Sequence, residues 1–269
     1  MCGRYVNISK VKAVEKRFNA VMERAELYAP NTNISIGNKA PVITQEAPEQ
    51  IRMYSFGFTP YWAKKPFHLF NARSEGDGNK ENSREYSGAK GIITKPAFRH
   101  AIRSKRCLVL ADAFIEGPKK ERLSKPYVMY RRDGAPFAFA GLYDQWVNQD
   151  TGEITDGFAI ITTASTDLTA AIGHHRSPVV LEEEDEAEWL NGNAPLGEVV
   201  NMLGPFDHKE WNAYPIAATI KNPRENGADL LKPIGQRIYP EYEYEIYQHL
   251  GLQGMGMTTA RQRKLDLGF

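Results

Sequence analysis

The sequence predicts an α+β fold in a single domain, and three observations carry that expectation. Between residues 107 and 162, short apolar or alternating runs (107–111, 127–130, 137–143 and 158–162) are separated by Gly117-Pro118-Lys119-Lys120, Arg132-Asp133-Gly134-Ala135 and Asn148-Gln149-Asp150-Thr151-Gly152. That spacing of short runs and turn-rich separators suggests antiparallel meanders rather than βαβ units. Helical periodicity is confined to brief stretches at either side of this region. Finally, the 269 residues, 42% of them hydrophobic, are enough to bury a sizeable core, with no internal repeat and no convincing linker. One domain over residues 1–250 is expected, with residues 251–269 as a flexible tail.

Taken in order, residues 9–18 read as a helix, with Ser9 as its cap and Val11, Val14 and Phe18 at helical spacing. Residues 40–44 and 51–58 read as strands around the turn-rich Glu46-Ala47-Pro48-Glu49, and the aromatic segment 56–62 reads as a loop because it holds Gly57 and Pro60. Residues 80–86 are polar and expected in an exposed loop. Pro96 suits the first turn of a helix running to about Lys105, with Phe98, Ala101 and Ile102 inward. Helices are also expected over 165–172, 182–190 and 196–203, and strands over 179–181 and 214–218. The helix at 182–190 is acidic in its first turn, as the helix dipole favours.

Composition narrows the function classes. A formal net charge of +1 gives no global field toward nucleic acid, so any such partner must be met locally. The two cysteines, Cys2 and Cys107, are too few for a disulfide framework and lack metal-ligand spacing, which suits a reducing compartment. No run approaches the roughly 18 apolar residues of a spanning helix, and the start lacks the apolar core of a signal peptide. A cytoplasmic protein without a membrane partner is expected.

Five features carry candidate chemistry. Cys2 directly follows Met1; removal of Met1 would leave an α-amine and a thiol on adjacent carbons. That amine, with an ordinary pKa of about 7.7–8.0, is partly unprotonated at neutral pH, and the thiol is a strong nucleophile once ionised. Asn71-Ala72-Arg73-Ser74-Glu75 joins an amide to a guanidinium fork suited to phosphate or carboxylate. The apolar run 106–116 ends in Glu116, whose pKa would rise if the strand end were buried. In Gly173-His174-His175-Arg176-Ser177-Pro178, the imidazoles can serve as acid or donor, whereas Arg176 and the lack of a third ligand disfavour a metal. Eleven Lys and Arg residues lie between Lys95 and Arg132 against Asp112, Glu116 and Glu121, a balance that with nearby aromatics suits a single-stranded nucleic-acid groove. Charge on solvated faces would explain the same count.

In order, these motifs resemble the SRAP family, the SOS response-associated peptidase-like proteins that process abasic sites in single-stranded DNA. The resemblance rests on Met1-Cys2-Gly3-Arg4-Tyr5, residues 56–63, Asn71 to Glu75, Arg106 to Glu116, Ala140-Gly141-Leu142-Tyr143 with Trp146, Ile160-Ile161-Thr162-Thr163, and His174 to Pro178. It implies a mainly antiparallel, barrel-like sheet core flanked by helices. It also implies self-removal of Met1 and a thiazolidine crosslink between Cys2 and the abasic aldehyde. Asn71, Glu116 and His174 would be its catalytic partners; Arg4, Arg73, Arg176 and Trp62 would contact DNA. No cofactor or metal is implied, and a monomer is expected, nucleoid-associated if the source is prokaryotic. Three positions depart from the family pattern: Gly117 where an aromatic usually follows the glutamate, Ser177 for Met, and Leu110 for Pro. Two other functions fit parts of the pattern. One is a non-covalent nucleic-acid-binding protein; the other is an amidotransferase-like hydrolase using Cys2, although such chains usually continue Cys-Gly-Ile.

Overall fold

The computed structural model describes residues 3–240, so the expected tail at 251–269 and the end of the expected 1–250 domain lie outside the described residues. The chain opens with β1 (Arg4–Asn7), α1 (Val11–Phe18), β2 (Val21–Met22), β3 (Asn31–Ser35), β4 (Lys39–Thr44) and β5 (Ala47–Phe56). It continues with β6 (Asn71–Arg73), α2 (Ala101–Ser104), β7 (Arg106–Ala111), β8 (Ala113–Glu116), β9 (Tyr127–Arg131) and β10 (Phe137–Val147). Then follow β11 (Ile154–Ala164), α3 (Asp167–Ala171), β12 (Arg176–Pro178), α4 (Glu186–Leu190), α5 (Leu196–Asn201) and β13 (Trp211–Pro215).

Five strands close a barrel. β4 pairs antiparallel with β5 and β7, β7 with β10, and β10 with β11. A parallel pairing of β11 with β5, Gly157 beside Ser55 and Phe158 beside Phe56, completes the ring. Closure leaves these strands without an open edge over the paired stretch. A second sheet, in the order β13-β9-β8-β1-β3, is antiparallel throughout. The α+β expectation and the antiparallel barrel core are what the structure contains.

Alternation along the strands distributes the core. On β7, Cys107, Val109 and Ala111 join Phe56, Phe139 and Phe158, while Leu108 and Leu110 face a cluster shared with Ile102, Trp189 and Val199 from the helical segments. Tyr5 and Phe114 of the second sheet enter the first cluster and meet Phe139 edge-on at 5.8 and 5.9 Å. Val6, Ile115 and Val128 face the other way and are covered by Ile220, Leu230 and Leu231. The second sheet is thus buried on both faces, which explains why Ala113 to Glu116 reads as a continuous apolar run.

Several expectations are corrected. The run 106–116 is two strands in two sheets, broken at Asp112. That carboxylate accepts hydrogen bonds from the Ile8 and Ser9 backbone amides and from Ser9 Oγ. Ser9 is therefore engaged there rather than capping α1, which starts two residues later from Lys10 without a side-chain cap. The helix expected from Pro96 shrinks to α2, although Phe98, Ala101 and Ile102 are buried as predicted. The strand expected at 179–181 lies earlier, at β12, and Val180 forms a single bridge to Phe139. The segment 182–190 begins as a 3₁₀ turn and becomes α-helical only at Glu186. Among the described residues no helix is long and apolar enough to cross a membrane.

Candidate active site

The second sheet brings the chain's start to the end of β8. Tyr5 lies opposite Phe114 and Val6 opposite Ala113; continuing that antiparallel register sets Gly3 level with Glu116. Met1 and Cys2 lie outside the described residues. Cys2 is joined to Gly3 by a peptide bond, so their Cα atoms stand no more than about 3.8 Å apart.

Glu116 ends β8 with its side chain buried, and His174 Nε2 lies 3.5 Å from its Oε2. His174 Nδ1 is 2.7 Å from the Gly117 carbonyl oxygen. A carbonyl only accepts, so the assigned tautomer carries its proton on Nδ1 and turns the Nε2 lone pair to the carboxyl. Burial raises the pKa of Glu116 and, reinforced by nearby positive charge, lowers that of His174 to about 4. The two shifts run in opposite directions and each disfavours the charged form, which places a carboxyl and an imidazole side by side out of bulk water.

The loop carrying His174 is fixed from both sides. Gly173 has φ +77°, a conformation that favours glycine, and its carbonyl accepts from Lys119 N at 3.0 Å. His174 N donates to Thr169 O at 2.9 Å. Next to it, the His175 ring lies 5.0 Å from the His174 ring, and burial and the His174 ring lower its pKa to about 4. Among the described residues no group of three or more His, Cys, Asp and Glu side chains is placed to hold a metal ion.

A second polar cluster flanks the first. β11 runs on beyond the barrel between β6 and β12, with Thr162 level with both Arg73 and Pro178. Arg176, 3% exposed, clamps Glu75 through two bonds of 3.1 and 2.9 Å and donates to Thr162 Oγ1 at 3.1 Å. Burial alone would raise the pKa of Glu75, but the bonds and charge of Arg176 outweigh it, and the carboxyl stays below its ordinary value. Arg176, expected to contact DNA, has its fork bonded to Glu75 beneath the surface. Arg73 remains half-buried, with Nε 3.8 Å from Glu75 Oε2 and a bond to the Asn79 carbonyl.

The family model for SOS response associated peptidase (SRAP) matches residues 1–223. The chain belongs to the SRAP family. It is 30% identical over 239 residues to Abasic site processing protein YoqW of Bacillus subtilis, covering 86% of this chain and 99% of that one. Abasic site processing protein YoaM of the same organism is also 30% identical, over 86% of this chain and 97% of its own. A crystal structure of a protein from Bacteroides thetaiotaomicron superposes with a TM-score of 0.71 at 28% identity, covering 83% of this chain and 97% of that one.

In this SRAP chain the other expected site residues are placed as follows. Asn71 lies on β6, level with Ile160, and its Nδ2 donates to Phe70 O at 3.0 Å. It shares the half-exposed face of β6 with Arg73, while Ala72 between them is buried. Arg4 is half-buried at the start of β1 and donates to Lys221 O at 3.4 Å. Trp62 is exposed and sits edge-on to the exposed Phe67 at 6.1 Å, in a loop held to β10 by Tyr61 N bonding Asp144 at 2.9 Å. The structure thus joins Glu116 to His174 and Arg73 to Arg176. The residue that sequence reading passed over is Glu75, whose only signal was its place two residues after Arg73. Cys107 is buried with its thiol pKa pushed up by burial, so it is not a competing nucleophile.

Proposed function

We propose that this protein processes abasic sites in single-stranded DNA by covalent capture at Cys2. The observation that supports the reading most is the buried Glu116–His174 pair at the end of the strand beside the chain's start. In the proposed sequence, hydrolysis of the Met1–Cys2 bond consumes one water and frees the α-amine. The amine adds to the carbonyl carbon of the ring-opened sugar, and loss of one water gives an imine. The thiolate then adds to the imine carbon and closes a thiazolidine, leaving the DNA strand joined to Cys2.

Each step moves a proton that the pair can supply or take. Ring opening needs a base at the anomeric hydroxyl and an acid at the ring oxygen; imine formation needs an acid at the departing hydroxyl. Glu116, its pKa raised by burial, serves as the donor and His174 Nε2 as the acceptor, while the Gly117 carbonyl holds the imidazole in the required tautomer. Asn71 orients the terminal residue, Arg4 and Arg73 take flanking phosphates, and Trp62 offers a face for base stacking. The names of the relatives, abasic site processing proteins, agree with this substrate.

Intact mass before and after mixing with an abasic oligonucleotide tests the proposal. The expected result is loss of one methionine from the protein, then a denaturation-resistant species heavier by the oligonucleotide less one water, absent in Cys2→Ala. Wild-type adduct in Cys2→Ala would overturn it. Reversible binding with no adduct would instead favour the non-covalent nucleic-acid-binding reading.

A further inference from the structure

The eleven cations between Lys95 and Arg132 separate in space into committed and uncommitted groups. Lys95 pairs with Asp77 and Lys105 with Glu46, each at 2.9 Å, and Arg131 pairs with Asp133 and Glu183 at 2.6 and 2.9 Å. Arg106 is buried and spends its guanidinium on the carbonyls of Trp189, Ile102, Arg103 and Asn191. In contrast, Lys119, Lys120, Arg122 and Lys125 are all exposed in one loop, opposed locally only by Glu121, which lies 3.9 Å from Lys125.

That loop is rigidly attached to the candidate site. A Cβ on Gly117 would fall 1.8 Å from the Arg122 carbonyl oxygen, so the returning chain occupies the space a side chain would need. Arg122 N bonds Pro118 O at 2.7 Å, and Arg122 itself sits at φ +52°. Lys119 N bonds Gly173 O, and the Gly117 carbonyl faces His174. On the far side Lys221 Nζ donates to Ser124 Oγ at 3.1 Å, while the Lys221 carbonyl accepts from Arg4 at 3.4 Å. These bonds link the segments that carry Arg4, Lys119, Lys120, Arg122, Lys125 and Lys221 to one another, next to Gly117 and the start of β1.

We infer that the loop at residues 117–125 is a phosphate-binding rail for the DNA strand on one flank of the lesion, occupying the position where a side chain on residue 117 would otherwise stand. A loop backbone held in place keeps its cations along one line, and a rail of cations holds the DNA backbone without reading bases. This rests on the DNA-processing reading above, but its test does not require the crosslink.

Equilibrium binding of an undamaged single-stranded oligonucleotide, measured across a salt series, is the experiment. Lys119→Ala/Lys120→Ala/Arg122→Ala should weaken binding roughly 10- to 100-fold near 0.1 M salt and flatten the log–log salt slope by about 2, at about 0.7 per lost phosphate contact. The control Lys12→Ala/Lys16→Ala/Lys39→Ala removes as much charge from exposed positions elsewhere. Equal loss in the two variants would overturn the rail, because net charge alone would then explain the effect. Absence of an adduct between wild-type protein and abasic DNA would sink the covalent reading while leaving this comparison intact.

Discussion

His174 Nε2 lies 3.5 Å from Glu116 Oε2, with both side chains buried and their proton affinities displaced in opposite directions. An ordinary Glu–His pair in water would exchange its proton to form an ion pair. Here burial penalises both charges, raising the proton affinity of the carboxyl and lowering that of the imidazole.

Glu116→Gln should lower the rate of adduct formation by about 10²–10⁴-fold, the usual worth of a positioned acid. The pH profile separates this from mere damage. The wild-type rate should rise as the Cys2 amine deprotonates and fall as pH passes the raised pKa of Glu116. The glutamine variant should lose the falling limb. A variant that keeps that limb would assign it to another group.

His174 and His175, both lowered to about 4, make stability pH-dependent. Between about pH 6.5 and 4 the unfolded chain binds protons that the folded chain refuses, so their contribution is present above 6.5 and lost as pH falls toward 4. Glu116 acts with the opposite sign, because its folded pKa is raised: its contribution weakens as pH rises above the ordinary carboxylate range. Urea midpoints at pH 7 and 4.5 should therefore differ more for wild type than for His174→Gln/His175→Gln.

Gly117→Ala should destabilise by about 1–3 kcal/mol, the range for forcing atoms into filled space, because its Cβ would meet the Arg122 carbonyl. The same displacement pulls the Gly117 carbonyl from His174, so the imidazole NMR titration should shift too. Gly197→Ala, in α5 with nothing within 4 Å, should instead stabilise by about 0.5–1 kcal/mol. Equal effects at the two sites would contradict the packing assigned to Gly117.

Glu75→Ala strands Arg176 beneath the surface and should cost about 3–5 kcal/mol. Glu46→Ala breaks a more exposed pair with Lys105 and should cost about 1 kcal/mol or less. Chemical denaturation of the two variants compares them directly.

Cys107→Ser should leave adduct formation intact, since the thiol is buried. Alkylation of native protein should reach Cys107 only after unfolding, which peptide mass mapping reads.

Much of the site was legible because its residue types are rare and chemically pointed: Glu116 closes an apolar run and His174 stands in a Gly-bounded loop. β1 was not legible, since four residues carry too little periodicity to announce a strand. Asp112 reads as a polar interruption, yet its carboxylate gathers Ile8 and Ser9 and turns the chain from the barrel into the second sheet. The pairing of Arg176 with Glu75 was not legible either, because the two stand 101 residues apart in the chain.

By itself the sequence determined the strand-rich α+β class, the inward residues and the set of reactive side chains, because those follow from local periodicity and residue chemistry. Only the tertiary structure decided which of them meet. Closure of β11 on β5, the change of sheet at Asp112 and the return of the chain over Gly117 are long-range packing events. Their geometry makes neighbours of Glu116 and His174, ties Arg176 to Glu75, and leaves Lys119, Lys120 and Arg122 exposed beside the chain's start.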